Sequence, residues 1–406
     1  MCIRDSADTD GSEASDLPTS GLGATYFDST RVLRYAAPGA PRFDHNPTTG
    51  ESLGLLVEEQ RTNLLLRSEE FDNATWPKSN LRAFGSGSTA NAIAAPSGTL
   101  SADLLIEDTA TGEHFVEQNF STFSGTTYAL SVFAKAGTNK TTIVLRLTTT
   151  AWNGGTNNQV RFNLSTGSAA IVAGSPTAFS QDLGNGWWRF TLVSTASATG
   201  TPAARVHLTD GAGNISYTGD GTSGIYIWGA QLEAGSFPTS YIPTTTTTVT
   251  RSADVASITG TAFSSWYRSD GGTNLIEYRE PDRSNNRTPR SISDGTSSNR
   301  WDAFISSTAT VNNRIIVSGS QNNPGSLTAN TGSALNKHII AVGLPNANAA
   351  INGLLATAST SSAVPTVDRL IIGADSVGAT PLTGTIRRLT HWAARLPDSV
   401  LSTLTQ

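Results

Sequence analysis

Apolar and polar residues alternate over short runs along this chain, and Gly, Asn, Pro and Ser punctuate the runs at sandwich-like spacings. Side chains of a strand point alternately to its two faces, so a period of two predicts half-buried β-strands. Residues 128–134 (YALSVFA), 141–147, 160–164, 186–194 (GWWRFTLVS), 204–208 and 224–232 form one series. A second series comprises 253–258, 274–278, 301–305, 314–317, 338–342, 369–372 and 385–392. β-Branched and aromatic residues dominate both, as a pleated surface prefers. Residues 349–353 read as a strand entering an Asn352-Gly353 turn, a strong hairpin signal. Only residues 397–404 (PDSVLSTL) read as a helix, with Pro397 in the first turn and Asp398 beside it.

Pro243 and the five threonines 244–248 divide the two series. Consecutive β-branched polar residues favour an extended connection and supply no core. The expected fold is therefore all-β: two tandem antiparallel β-sandwiches, both jelly rolls, with very little helix. The first sandwich is assigned to 65–243, a Thr-rich linker to 244–250 and the second sandwich to 251–406. Residues 21–64 are left as an extended attachment segment and 1–20 as a disordered tail or remnant.

Length supports two or three domains, since 406 residues can bury more than one core. With 37% hydrophobic and only 15% charged residues, the chain is not of the highly charged, disordered type. A net charge of −5 supplies no field for phosphate backbones, so no nucleic-acid partner is expected. Cys2 is the sole cysteine, which excludes an intramolecular disulfide and a thiolate metal cage. The first sixteen residues lack an apolar h-region, so no ordinary signal peptide is expected there. No stretch reaches the ~18 apolar residues of a membrane span, so no membrane insertion is expected.

Three stretches carry a resemblance. Residues 40–63 read APRFDHNPTTGESLGLLVEEQRTN, residues 184–189 GNGWWR, and residues 227–243 IWGAQLEAGSFPTSYIP. Together they closely resemble a recurrent module of tailed-phage tail and fibre proteins that is similar to carbohydrate-binding jelly rolls. The segment after the threonines resembles a concanavalin A-like, laminin G-like jelly roll, through Ile351-Asn352-Gly353 and residues 382–392 (LTGTIRRLTHW). The resemblance implies a virion tail component, released by lysis, that binds host-surface polysaccharide or glycan. It also implies other virion tail proteins as partners and a homo-oligomer, trimeric as fibre proteins commonly are, although no heptads require it. It hands over no set of binding residues.

Some concanavalin-like folds are glycoside hydrolases, which place alternate carboxylates on one strand face about 5 Å apart. The nearest match here, Glu280-Pro281-Asp282, lacks the final glutamate, and Glu277 and Glu280 differ by an odd number. A solvated loop accounts for them, and no enzyme is expected. The five histidines, His45, His114, His207, His338 and His391, show no metal-ligand spacing.

Trp152, with Asn153 and Asn157 in a polar loop, is the leading candidate sugar platform, because it joins a stacking plane to amides that bind hydroxyls. Trp187 and Trp188 are adjacent in a strand, so they face opposite ways, and Trp188 is a second candidate platform. Tyr267 and Arg279 are the candidates in the second module, where Arg279, Arg283, Arg287, Arg290 and Arg300 read either as a basic patch or as a solvated mixed-charge loop. Asp210 and Asp220 lie in oxygen-rich turns that would suit calcium, although ordinary Asx turns use the same residues. Non-catalytic adsorption to carbohydrate is thus the expected function. A structural tail or decoration protein that binds other virion proteins is the first alternative, and a polysaccharide-degrading enzyme, which would need two carboxyls converging in a groove, is the second.

Overall fold

The computed structural model describes residues 2–3, 23–37, 39–83, 89–148, 152–153, 155, 157–254, 256–280, 286–330, 334–360 and 363–406. Strand makes up 49% and helix 3%, so the protein is all-β. Among the described residues no helix is long and apolar enough to cross a membrane.

Residues 65–243 build two facing antiparallel sheets. One runs in the order Ala169–Ala173, Asn158–Asn163, Thr142–Leu147, Ala203–Leu208, Phe115–Asn119, Lys78–Ser79. The other runs Thr177–Asp182, Trp187–Thr195, Thr127–Ala136, Gly224–Ala234, Leu100–Ile106, Ile93–Ala94. Their facing sides enclose Leu130, Val132, Leu145, Phe162, Phe190, Leu192, Val206 and Ile227, all buried. At roughly 1.5–3 kcal/mol per large apolar side chain, this burial is the main driving force of the module.

The alternation slips once. In Gly224–Ala234, Ile225 and Ile227 point into this core, as do Ala230 and Leu232, while Trp228 points out. A bulge against Thr127–Ala136 makes the switch, and Gly229, at a φ of 60°, absorbs it. A Cβ there would stand 2.7 Å from the Phe133 ring, so glycine is also required sterically. The bulge lets Trp228 join Phe133, Trp187 and Tyr241 in a second apolar layer on the outer face. The hairpin Thr25–Phe27/Leu33–Tyr35 covers that layer with Phe27 and Leu33.

The second sandwich has one sheet in the order Leu354–Leu355, Asn346–Ile351, Asn336–Gly343, Gly271–Arg279, Gly384–Trp392, Ser52–Val57, Phe43–His45. The facing sheet runs Ala256–Thr259, Arg369–Ile372, Arg290–Ser293, Arg300–Ile305, Thr310–Val317, Ser320–Gln321. The expected Asn-Gly turn is present: Asn352 and Gly353 both have positive φ, and Ile351 pairs with Leu354. Helix Asp398–Leu404 packs Leu401 onto Leu275, Ile339 and Ala350 on the sheet's outer side. A five-residue helix, Gly260–Ser264, was not foreseen; it buries Phe263.

The attachment-segment expectation for residues 21–64 is corrected by strand pairing. Ser52–Val57 pairs with Gly384–Trp392 and places Leu55 and Val57 in the second core. Gly54, at a φ of 101°, lies so close to this partner that a Cβ would stand 2.2 Å from the Ile386 carbonyl oxygen. The chain therefore starts the second sandwich, leaves to build the first, and returns to finish the second. Its outgoing and returning passes pair with each other, Arg61–Asn63 against Val249–Arg251. The linker is correspondingly short: Thr244 is buried with its hydroxyl on the Leu65 carbonyl, and 245–248 form the exposed stretch before the strand Val249–Arg251. Cys2–Ile3 add a short ladder to Gly384–Trp392; the rest of the expected tail over 1–20 lies outside the described residues.

This connectivity predicts how fragments behave. Residues 251–406 alone lack the last two strands of their sheet, Ser52–Val57 and Phe43–His45, and are expected to give no cooperative melt. Residues 39–63 joined to 249–406 by two glycines, across the pair Asn63 and Val249, are expected to melt cooperatively by circular dichroism. A cooperative melt of 251–406 alone would show that Ser52–Val57 is an accessory strand.

Candidate functional site

Where the passes of the chain meet, four charged side chains are buried together. Arg42 precedes the strand Phe43–His45, Glu58 follows Ser52–Val57, and Arg251 and Asp254 lie on the returning pass. Arg42 reaches Glu58 at 2.7 Å and Asp254 at 2.5 Å, and Arg251 reaches Glu58 at 3.2 Å. Glu58 also accepts from the Ser240 amide at 2.7 Å and the Ser240 hydroxyl at 2.6 Å, which ties in the first sandwich. Its own amide donates to Asp254 Oδ2 at 2.8 Å.

Two cations and two anions with these hydrogen bonds offset much of the desolvation cost that isolated charges would carry. Burial pushes the Glu58 carboxyl up, but the charges of Arg251 and Arg42 outweigh it and hold the pKa at about 2. Burial raises Asp254, with the Glu58 charge adding to it, against the opposing pull of Arg42.

Above this cluster lies a cleft of about 450 Å³ between the sandwiches and the N-terminal hairpin. Its floor is the outer face of the first sandwich, with Phe133, Arg189 and Thr191. Phe179 and Gln181, on the edge strand, stand directly across from Thr191 and Arg189 and so share that face. Phe179 is 46% exposed. The walls are Tyr26 and Phe27, Asp44 with Leu53 and Leu56, Arg279 with Thr385 from the second sandwich, and the turn Ser236 to Tyr241.

Arg189 serves the architecture. Its Nη1 donates to the Thr239 carbonyl at 2.7 Å, Nη2 donates to Ser131 Oγ at 3.0 Å, and the guanidinium sits 5.2 Å over the Phe133 ring. Burial lowers its pKa, opposed by the charge of Glu233.

Asp44 differs from its neighbours. One oxygen accepts the Phe27 amide at 2.8 Å. Burial is the largest influence on its carboxyl and, with the Glu58 charge, raises the pKa to about 6 despite that bond. The cleft thus offers aromatic faces, hydroxyls, an amide and one carboxylate near neutrality, a lining suited to a ring with one apolar face and a hydroxyl-rich rim. Both oxygens of Glu58 are taken by Ser240 and Arg42, so Asp44 and Glu58 do not form the free carboxylate pair that glycoside hydrolysis uses.

Most sequence candidates lie elsewhere. Trp152 is corrected: it is 1% exposed, its indole N–H donates to the Thr148 carbonyl at 2.9 Å, and it packs between Phe120 and Tyr128 in the first core. Asn153 is exposed and Asn157 half-buried, so these amides flank no exposed indole. Trp188 shares the inward face with Phe190, stacks on it at 6.1 Å and covers Gly167, where a Cβ would clash with its ring. Trp187 does take the outer face, but the hairpin layer covers it. Tyr267 stacks on Phe263 at 4.7 Å.

Of the six carbohydrate candidates, only Arg279 lines the cleft. The solvated-loop reading of Glu280 and the arginines is also corrected: Glu280 is fully buried against Arg287, and Arg290 is buried on Asn274. Arg283 lies outside the described residues. All five histidines are buried.

Asp210 and Asp220 each close their own turn. Asp210 accepts the Ala212 and Asn214 amides, and Asp220 accepts the Thr222 and Ser223 amides with the Ser223 hydroxyl. These bonds lower both carboxyls, led for Asp220 by the Ser223 hydroxyl; at Asp210 they overcome the opposing effect of burial. Among the described residues, no three His, Cys, Asp or Glu side chains gather as a metal centre.

Sequence reasoning missed Asp44, Glu58, Phe179 and the turn Ser236 to Tyr241 as parts of one site. A signal existed: the stretches 40–63, 184–189 and 227–243, distant in sequence, all contribute to the cluster or the cleft.

No protein-family model and no curated protein matches the chain. Among solved structures there is distant similarity to the Ruminococcus gnavus IT-sialidase CBM40 bound to α2,3-sialyllactose, with 18% identity over 34% of this chain and 84% of that one, TM-score 0.30. The K499G mutant of NanB sialidase from Streptococcus pneumoniae aligns at 14% identity over 37% of this chain and 26% of that one, TM-score 0.32. A heptameric SAP-like pentraxin from Limulus polyphemus aligns at 14% identity over 34% and 70%, TM-score 0.28.

Asp44 sets a pH signature. Its folded pKa of about 6 lies above the ordinary aspartate value of 3.8, so between these values the folded state binds the proton and the unfolded state does not. Its contribution is complete below the lower value and is lost as pH rises through the upper one. Asp44→Asn is therefore expected to raise the melting temperature relative to wild type at pH 8 and to leave it nearly unchanged at about pH 3.5. An equal shift at both pH values would contradict the assignment.

Proposed function

We propose that this protein is a non-catalytic adsorption protein of a tailed-phage virion and that it holds host-surface carbohydrate in the junction cleft. The carrying observation is the cleft itself, about 450 Å³, lined by the half-exposed Phe179 ring together with Thr191, Gln181 and Asp44. Sugars present an apolar C–H face and a rim of hydroxyls, and an aromatic plane with scattered donors and acceptors complements both. The volume falls within the usual range for small ligands. Several copies on one particle multiply weak contacts into avidity. The sequence resemblance to tail and fibre proteins supports the virion setting.

A second reading has its own observation. The edge strand Ala169–Ala173 exposes Ile171 at 58% and Val172 at 50%, a surface that would suit another virion protein.

A glycan array probed with purified protein tests the choice. Wild type is expected to bind a defined glycan set, and Phe179→Ala to weaken that binding at least about tenfold, or roughly 1.4 kcal/mol, with little change in melting temperature. Ile171→Asp with Val172→Asp is expected to leave glycan binding intact. Unchanged binding by Phe179→Ala, or no glycan bound at all, would favour the virion-protein reading.

A further inference from the structure

A second cavity of about 290 Å³ lies on the other side of Phe27, which lines both. Its walls are the tip of the N-terminal hairpin, Pro47, the turn Ala94 to Gly98, the turn Leu183 to Trp187, and Lys135. These pieces are locked together. The Leu33 amide donates to the Pro96 carbonyl at 3.0 Å, and Asp28 Oδ1 accepts the Thr30 and Val32 amides at 2.9 and 3.1 Å.

That turn holds Arg31 at a φ of 67°, a left-handed backbone that an arginine adopts only where its surroundings impose it. Arg31 Nη1 donates to the Thr48 carbonyl at 3.3 Å. Lys135 stands directly across from Trp187, with its stem beside Gly186.

Two cations therefore line one small cavity, and among the described residues neither pairs with a carboxylate. The nearby acids are engaged otherwise: Asp28 pairs with Arg34 at 2.6 Å, and Asp182 accepts the Gly184 amide at 2.8 Å. In a chain of net charge −5 this is a local field of opposite sign, set in a concave site whose walls concentrate it. The buried Trp187 and the two prolines add apolar surface beside the charges.

We propose that this cavity binds the anionic substituent of an acidic sugar, a ring carboxylate or a sulfate, with Arg31 and Lys135 as its charge partners. The inference does not depend on the junction cleft, because its ligand is an anion and its residues, Phe27 aside, are different.

Affinity electrophoresis of the full chain through gels containing polygalacturonate, dextran sulfate or neutral dextran tests it. Wild type is expected to be retarded by an acidic polymer and not by dextran. Retardation by one acidic polymer alone assigns carboxylate or sulfate. Arg31→Gln with Lys135→Gln is expected to weaken it at least about tenfold. Arg82→Gln with Arg161→Gln, the same change in net charge at other surfaces, is expected to leave it in place, as is Phe179→Ala. If the first double variant melts early, Lys135→Gln alone carries the comparison. Absence of retardation by either acidic polymer, or equal loss in both double variants, would overturn the proposal, the latter by reducing the effect to general charge.

Discussion

Arg42, Arg251, Glu58 and Asp254 are buried where separate passes of one chain meet, and neither sandwich alone contains all their partners. Arg42 and Glu58 arrive before the first sandwich is made, Arg251 and Asp254 after it, and Ser240 belongs to its last turn. A buried charge without its counter-charge is costly, so the four must come together or the junction stays open. Position of the cleft follows. With Ser240 fixed on Glu58, the turn Ser236 to Tyr241 is held against the second sandwich, and Arg279 and Thr385 face Phe133 and Arg189 across the gap.

The cleft floor depends on a second, smaller constraint. A sandwich sheet ordinarily shows water its polar side, but here the bulge at Gly229 turns Trp228 outward onto Phe133 and Tyr241. The outer face becomes apolar enough to bind the N-terminal hairpin, and Phe27 of that hairpin separates the junction cleft from the cationic cavity. One glycine thereby connects strand register to the placement of both proposed sites.

Much of this fold was legible in the sequence, because period-two alternation reports local geometry. The Asn352-Gly353 hairpin, residues 369–372 and the C-terminal helix appear where the pattern placed them. Edge strands such as Thr177–Asp182 escaped because they are exposed on nearly every residue and carry no alternation. The site was far less legible. Trp152 looked like a loop aromatic, yet its ring turns back into the core, a choice that depends on Phe120 and Tyr128 rather than on its neighbours in sequence. Nothing in their own stretch marks Arg42 and Glu58 as members of a buried cluster, since their counter-charges lie on the returning pass about 200 residues later. Discontinuity of the second sandwich was hidden for the same reason: the alternation in Ser52–Val57 names no partner strand.

The account stands on the buried cluster coupling the two sandwiches, and differential scanning calorimetry at neutral pH measures that coupling directly. Wild type is expected to unfold in one transition spanning both modules. Arg42→Met leaves Glu58 and Asp254 buried with one cation fewer, a loss of about 3–5 kcal/mol, and is expected to split the transition in two, the second sandwich melting first. Two independent transitions already present in wild type, or an unaltered thermogram for Arg42→Met, would contradict the claim that these four charges fix the junction.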